Sequence, residues 1–315
     1  MFKNKKIAVV VPAYNEEELI EKTIAAMPDY VDKVIVVDDC SKDNTPQILK
    51  NLKEKNPKLI IIRHKENMGV GQAIITGYEE SVRQDMDITA VMAGDAQMDP
   101  DDLPGLLTPV AEGKVDYTKG NRLLTRDVRK VMPGLRYFGN SLLTILNKIA
   151  TGYWNVMDPQ CGYTAISKKA LQTIPLDEVY PWYGFPNDLL AKLNVFNIKV
   201  QDVPVKAVYG TEKSGIKLYS YIPKVSFLLL RDFFWRLKEK YLVRDFHPLL
   251  LFYFFGFLLT LAGILLAAWI LYIEFISATP RPASANEFTL FAFLTIVGLQ
   301  SVFFAMWFDM QYNKQ

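Results

Sequence analysis

Asp95 and Gln97 stand two residues apart in the run Gly94-Asp95-Ala96-Gln97. A carboxylate and an amide oxygen at that spacing can both turn toward one divalent ion. Hard cations such as Mg2+ or Mn2+ accept oxygen ligands and complete their shell with phosphates and water. Without a phosphate, the same residues are only a polar turn. A second run, Asn67-Met68-Gly69-Val70-Gly71-Gln72-Ala73, is a glycine-containing turn ahead of a helical pattern. Such a turn could set backbone N–H groups near an anion. It is not a dinucleotide fingerprint, because the Gly-x-Gly-x-x-Gly pattern is incomplete and does not follow the first strand. His64 and His247 are the only histidines. A His-rich metal site is thereby excluded, and zinc hydrolase chemistry is not expected.

The elements that would position these residues follow from local pattern. Ile7-Ala8-Val9-Val10-Val11, ended by Pro12, predicts a buried parallel strand. A helix over Glu16–Met27 follows, with Asn15 as its cap. Strands are expected at Lys33–Val37, Leu59–Ile62 and Ile88–Met92. Helices are expected at Asp43–Lys55, Gly71–Val82 and Asp101–Glu112. Strands alternating with helices predict an α/β fold, an open parallel sheet covered on both faces. Ligands of such sheets bind at the carboxyl ends of the strands. Tyr14-Asn15-Glu16, Asp38-Asp39, Asn67 and Asp95-Ala96-Gln97 all fall there. Residues 121–215 are less regular.

Charge divides the chain. Lys and Arg number 36 against 34 Asp and Glu, a net +2 that argues against a general nucleic-acid binder. Cys40 and Cys161 form no disulfide framework and read as cytosolic thiols. Pro248–Ile273 runs 26 residues without a charge, and Phe288–Phe308 runs 21. A bilayer core needs about 20 apolar residues as helix, so both runs predict transmembrane helices. The N-terminus lacks a long apolar run, so no signal peptide is expected. Arg231, Arg236, Lys238, Lys240 and Arg244 precede the first span, while the connector Glu274–Glu287 carries only Arg281 as a base. The positive-inside rule then puts the large N-terminal part on the cytoplasmic face and the connector outside. Lys217–Tyr241 mixes Leu218, Tyr221, Ile222, Val225, Leu228, Leu229, Phe233, Trp235 and Leu237 with Lys and Arg. That suits helices lying on a membrane surface, or an amphipathic helix packed on the domain. The expected organisation is a catalytic domain at 1–216, juxtamembrane helices at 217–246 and a membrane domain at 247–315.

Taken together, several segments resemble the family 2 glycosyltransferases. They are Val11-Pro12-Ala13-Tyr14-Asn15-Glu16-Glu17, Val36-Val37-Asp38-Asp39-Cys40-Ser41-Lys42-Asp43-Asn44-Thr45, the Asn67–Ala73 turn and Gly94-Asp95-Ala96-Gln97-Met98-Asp99-Pro100. The match covers about residues 5–215. Gly120-Asn121-Arg122, Arg136-x-x-Gly139-Asn140 and Asp158-Pro159-Gln160-Cys161-Gly162-Tyr163 look like the polyprenyl-phosphate branch of that family. The resemblance implies a glycosyltransferase A-type nucleotide-sugar domain and an inverting transfer from a GDP- or UDP-sugar to a polyprenyl phosphate. It further implies that Pro12, Tyr14, Asn15, Glu16, Val37, Asp39, Asn67 and Ala96 hold the donor. Asp95 and Gln97 would bind Mg2+ or Mn2+ on its diphosphate. Arg122, Arg136 and Asn140 would meet the acceptor phosphate, and Lys213 would lie over the donor.

The chain departs from the family pattern at two places. Ala93 stands where the branch often has a first metal-site Asp. Asn187-Asp188 replaces the usual Glu-Asp pair, leaving Asp188 as the single candidate base. A phosphate nucleophile is already ionised near neutral pH, so it needs no strong base, and Asp188 would orient groups instead. Two rival readings stay open: a hydroxyl acceptor using Asp188 as base, and a catalytically inactive membrane module. The Gln-x-x-Arg-Trp signature of processive synthases is absent. Arg126 and Arg129 read as a solvated face. Sugar, nucleotide, lipid (dolichol or undecaprenol) and homo-oligomeric state are left open.

Overall fold

The computed structural model describes residues 1–124, 134–206 and 218–314, with only the helical backbone at 134–142 and 218–222. Seven strands form one sheet in the order β3-β2-β1-β4-β6-β5-β7. They are β1 (Ile7–Ala13), β2 (Lys33–Asp38), β3 (Leu59–Arg63), β4 (Ile88–Val91), β5 (Tyr117–Asn121), β6 (Thr164–Ser167) and β7 (Val200–Pro204). The pairs β3–β2, β2–β1, β1–β4 and β5–β7 are parallel, while β6 runs antiparallel to both β4 and β5. The sheet is therefore mostly parallel with one reversed strand.

The first half matches the expected alternation. Helices α1 (Ile20–Ala25), α2 (Thr45–Lys55), α3 (Val70–Arg83) and α4 (Leu103–Ala111) follow β1 to β4 in turn. The second half adds α5 (Gly134–Thr151), α6 (Lys168–Thr173), α7 (Phe185–Val195) and α8 (Leu218–Lys238). Strand β1 is buried on both faces because its side chains alternate between two cores. Ile7, Val9 and Val11 join Ile20, Leu49, Leu103 and Leu107 on one side. Ala8 and Val10 join Ala73, Tyr78, Leu189 and Leu193 on the other. Gly77 lets α3 ride close on β1, since a Cβ there would lie 2.3 Å from Val10 Cγ1.

Helix α1 is shorter than expected and begins at Ile20, with Leu19 and not Asn15 at its cap. Asn15 is spent elsewhere: its Oδ1 accepts the Lys42 N–H at 2.8 Å, and its own N–H donates to Ser41 Oγ at 2.9 Å. Glu16 and Glu17 donate to Thr45 Oγ1 and Asp43 Oδ2. This lacing holds 15–17 out of helix.

Helix α8 buries Val225, Leu228, Leu229 and Phe233, as the packed amphipathic reading expected. Its outward face shows Phe227 at 72% exposure and Leu230 and Phe234 at 53% each. Arg236 is fully buried and caps α5, donating from Nε to Ala150 O and from Nη2 to Ile149 O.

The chain divides into two compact units near Arg236. The second contains a π-helical turn (Glu239–Arg244), α9 (Leu249–Phe275) and α10 (Ala285–Tyr312). Both long helices are apolar enough to cross a membrane, and only 22% and 11% of their most apolar windows is buried. They contain the runs 248–273 and 288–308 almost entirely. They pack through small residues: a Cβ on Gly256 would lie 2.8 Å from Val302, and one on Gly298 would lie 2.6 Å from Thr260. At the foot of the pair, Tyr241 OH donates to Asp309 Oδ1, and Lys240 Nζ donates to Asn313 Oδ1 at 2.6 Å.

Candidate active site

Backbone hydrogen bonds lace the carboxyl ends of neighbouring strands into one rim. Asp39 N–H donates to Ala13 O at 2.9 Å, His64 N–H to Asp38 O at 2.9 Å and Gly94 N–H to Pro12 O at 3.3 Å. Residues from four separate runs, Pro12–Glu16, Asp38–Asp39, His64–Asn67 and Gly94–Gln97, are thus brought to one edge. A Cβ on Gly94 would lie 3.5 Å from Glu16 Cγ, so Glu16 borders the Asp95 turn. Tyr14 and Asn67 are exposed on the rim. Val37 is fully buried in the core, which leaves only its backbone for a ligand.

The Asp95 turn is tight. Ala96 takes a left-handed φ of 55°, a conformation uncommon for a residue with a Cβ. Gln97 N–H donates to Asp95 Oδ1 at 3.1 Å. Partial burial pushes the Asp95 carboxyl above its ordinary value. A cation beside a desolvated carboxylate would reverse that push. Among the described residues no group of three His, Cys, Asp or Glu could hold a metal. One carboxylate and one amide suit a hard cation that arrives on a diphosphate and keeps waters, so the residues present fit Mg2+ or Mn2+ in that form.

The N–H groups of the glycine turn do hold an anion, and it is the protein's own Asp39 carboxylate. Asp39 fills the turn from inside: Oδ1 accepts the Met68 N–H at 2.9 Å and Oδ2 accepts the Gly69 N–H at 2.8 Å. Asp39 Oδ1 also lies 2.7 Å from His64 Nδ1, whose Nε2 sits 3.0 Å from Thr76 Oγ1. Gln72 N–H donates to Pro181 O at 3.0 Å. A Cβ on Gly69 or Gly71 would lie 2.7 Å from Pro181. The glycines admit the 180–184 loop, and Gly69 also supplies a φ of 94°.

At the carboxyl end of β5, Arg122 is partly exposed and already paired with an acid. Its Nε and Nη2 donate to Asp158 at 2.8 and 3.0 Å, a two-pronged pair. Asp158 was part of a recognised run, yet its role was missed. No local signal pairs them, since 36 residues separate Arg122 from Asp158 and they meet only in the fold. Beside it Lys119 Nζ is buried and donates to Cys161 O, and Asn121 Nδ2 donates to Asp202 Oδ2. Arg136 and Asn140 lie one turn apart on α5, with side chains outside the described residues. Lys213, Arg126 and Arg129 lie outside the described residues altogether.

Asp188 on α7 is buried. Its Oδ2 accepts the Tyr180 N–H at 2.8 Å, and its Oδ1 accepts from Arg231 Nη2 at 2.7 Å. Arg231 and its neighbour Asp232 were missed as site neighbours because both sit in a stretch that reads only as apolar and basic.

The family model for glycosyl transferase family 2 matches residues 8–174. The chain belongs to that family. This glycosyltransferase is 34% identical over 221 residues to a UDP-N-acetylglucosamine–dolichyl-phosphate N-acetylglucosaminyltransferase of Methanococcus voltae, covering 65% of this chain and 87% of the relative. It is 26% identical over 206 residues to an undecaprenyl-phosphate mannosyltransferase of Micrococcus luteus, covering 64% of this chain and 84% of that protein. Among solved structures, glucosyl-3-phosphoglycerate synthase from Mycobacterium tuberculosis, in complex with Mn2+, UDP-glucose and glycerol 3-phosphate, shares the fold. Its TM-score is 0.52 at 22% identity, covering 74% of this chain and 80% of that one. The fold is the glycosyltransferase A type, as the resemblance implied.

Proposed function

We propose that this glycosyltransferase moves a sugar from a nucleotide diphosphate donor to a polyprenyl phosphate at a membrane surface, with inversion. One observation carries the reading. The two relatives differ in sugar and in lipid, and what their names share is a polyprenyl-phosphate acceptor. In this reading residues 1–216 are catalytic, 217–246 lie at the interface and 247–315 anchor the chain, with the catalytic part cytoplasmic. The outward Phe227, Leu230 and Phe234 of α8 would enter the headgroup region. The exposed apolar surfaces of α9 and α10 would face lipid.

The rim supplies the donor site. Pro12–Glu16, Asp39 and the Asp95 turn would surround the nucleoside diphosphate. Asp95 and Gln97 would hold a divalent ion, Mg2+ or Mn2+, and the ion when bound supplies positive charge for the leaving diphosphate. Lys213 would add to that charge. Arg136 and Asn140 would meet the acceptor phosphate, with Arg122 presented by Asp158. The phosphate oxygen attacks the anomeric carbon and the nucleoside diphosphate departs. A hydroxyl acceptor would need Asp188 as base. Asp188 is buried with both oxygens engaged, which favours the phosphate.

The test is direct. Purified protein is incubated with labelled UDP-N-acetylglucosamine, UDP-glucose or GDP-mannose, dolichyl or undecaprenyl phosphate and Mn2+. A polyprenyl-phosphate sugar is expected from one donor. Label released only to water, or onto a hydroxyl acceptor alone, would overturn the reading.

A further inference from the structure

Arg231 joins two buried acids. Its Nη2 donates to Asp188 Oδ1 at 2.7 Å and to Asp232 Oδ1 at 3.0 Å, and its Nε reaches Asp232 Oδ1 at 3.2 Å. Asp232 Oδ2 is buried and meets no donor. Two carboxylates against one guanidinium would leave an excess charge out of water, which is costly unless one acid takes a proton. Burial, and then the adjacent Asp188 carboxylate, push Asp232 up to about 8. Near neutral pH the trio is therefore charge-balanced.

The trio has a target. The second oxygen of Asp188 holds the Tyr180 N–H at 2.8 Å, and Tyr180 opens the loop Tyr180–Gly184. One side of that loop meets the donor rim, through Pro181 O on the Gln72 N–H and Trp182 against Gly69. The other side meets α8, where a Cβ on Gly184 would lie 2.2 Å from Leu228 Cδ2. An unbroken line of contacts thus runs from Asp39 through Gly69, Pro181, Tyr180 and Asp188 to Arg231.

We infer that Arg231 and Asp232 are positioning residues: through Asp188 they set the Tyr180–Gly184 loop against the donor turn, so the donor site is complete only when α8 is seated. The inference rests on reading the rim as the donor site. A simple staple between α8 and the domain would hold the helix without affecting the loop or the donor.

The experiment uses the full chain in detergent micelles, with two readouts that need no turnover. One is amide hydrogen exchange over residues 180–184, and the other is calorimetric binding of UDP and GDP with Mn2+. Arg231→Met should speed exchange at 180–184 and weaken the better-bound nucleotide, each by about 10-fold or more, the effect of one lost charged hydrogen bond. Peptides of β1 and β2 should keep their protection. Asp232→Asn keeps a neutral hydrogen-bond donor beside Asp188 and should preserve protection at 180–184. If Arg231→Met does not fold, Arg231→Lys keeps the charge without the fork and should show the same changes at smaller amplitude. A folded variant with unchanged exchange at 180–184 and unchanged nucleotide affinity would overturn the inference. If the unsubstituted protein binds neither nucleotide, the donor reading fails, and the exchange readout still decides whether Arg231 positions the loop.

Discussion

A single half-buried carboxylate carries the metal proposal. Asp95 is pushed up by burial, so its environment favours either a proton or a cation. Asp95→Asn keeps the size and loses the charge. Turnover should fall below detection while the thermal midpoint is held or rises slightly. Activity that survives both this change and EDTA would remove the metal from the mechanism. Asp232 makes a second prediction, in stability. It is raised from about 4 in the unfolded chain to about 8 in the fold, so the native state binds the extra proton. Stability must then fall as pH rises through that window. Among the described residues the charged groups acting on it are Asp188 and Arg231. Asp232→Asn removes the titration. The thermal midpoint of the unsubstituted protein should drop relative to this variant from pH 5 to pH 9, and a constant gap would assign the loss to another group.

At the scale of elements, the turn between β3 and α3 is the most constrained. Gly69 combines a φ of 94° with a Cβ position 2.7 Å from a backbone oxygen. Gly69→Ala should cost about 1–3 kcal/mol, read from the midpoint of urea unfolding. A neutral result would mean that the 180–184 loop yields. Helix α8 makes a prediction of its own. A fluorophore on a cysteine at position 227, in a Cys40→Ser background, should be quenched by shallowly brominated lipids, whereas quenching by aqueous iodide alone would leave that face in water. The four parallel strands and their polar ends could be read directly, because β-branched runs and Pro12, Asp38 and Asp95 punctuate them locally. The reversed β6 and the edge β7 could not, since Thr164–Ser167 and Val200–Pro204 carry no periodic signal of direction. The site divides likewise. Asp95 and Gln97 announce themselves by spacing, and so does the rim around them. The partners of Gly69, Asp188 and Arg122 do not, because Pro181, Arg231 and Asp158 come from far along the chain and meet them only in the fold. Helix α8 could be read either way, because Leu and Phe stand on both its buried and its exposed face.

For the whole molecule, the charge flanking the two long apolar helices sets the proposed orientation. Five bases precede the first span and a single one, Arg281, lies in the connector, where it is paired with Glu287. A cysteine placed within Ser277–Ser284 should react with an impermeant reagent from outside intact cells. Reaction only after the cytoplasmic side is opened would invert the proposed arrangement. Within the second unit, the bond from Lys240 to Asn313 spans 73 residues of sequence, and that from Tyr241 to Asp309 spans 68. These contacts close the unit into a ring without a covalent link. Joining ends so distant carries an entropic charge that grows only slowly with length, and the glycine contacts between the helices share it. Losing Asp309, four residues before Asn313, should therefore be felt at Tyr241 as loss of order in the turn that leads into the first span. The last turn of α10 thus acts as a buckle for the turn that leads into α9.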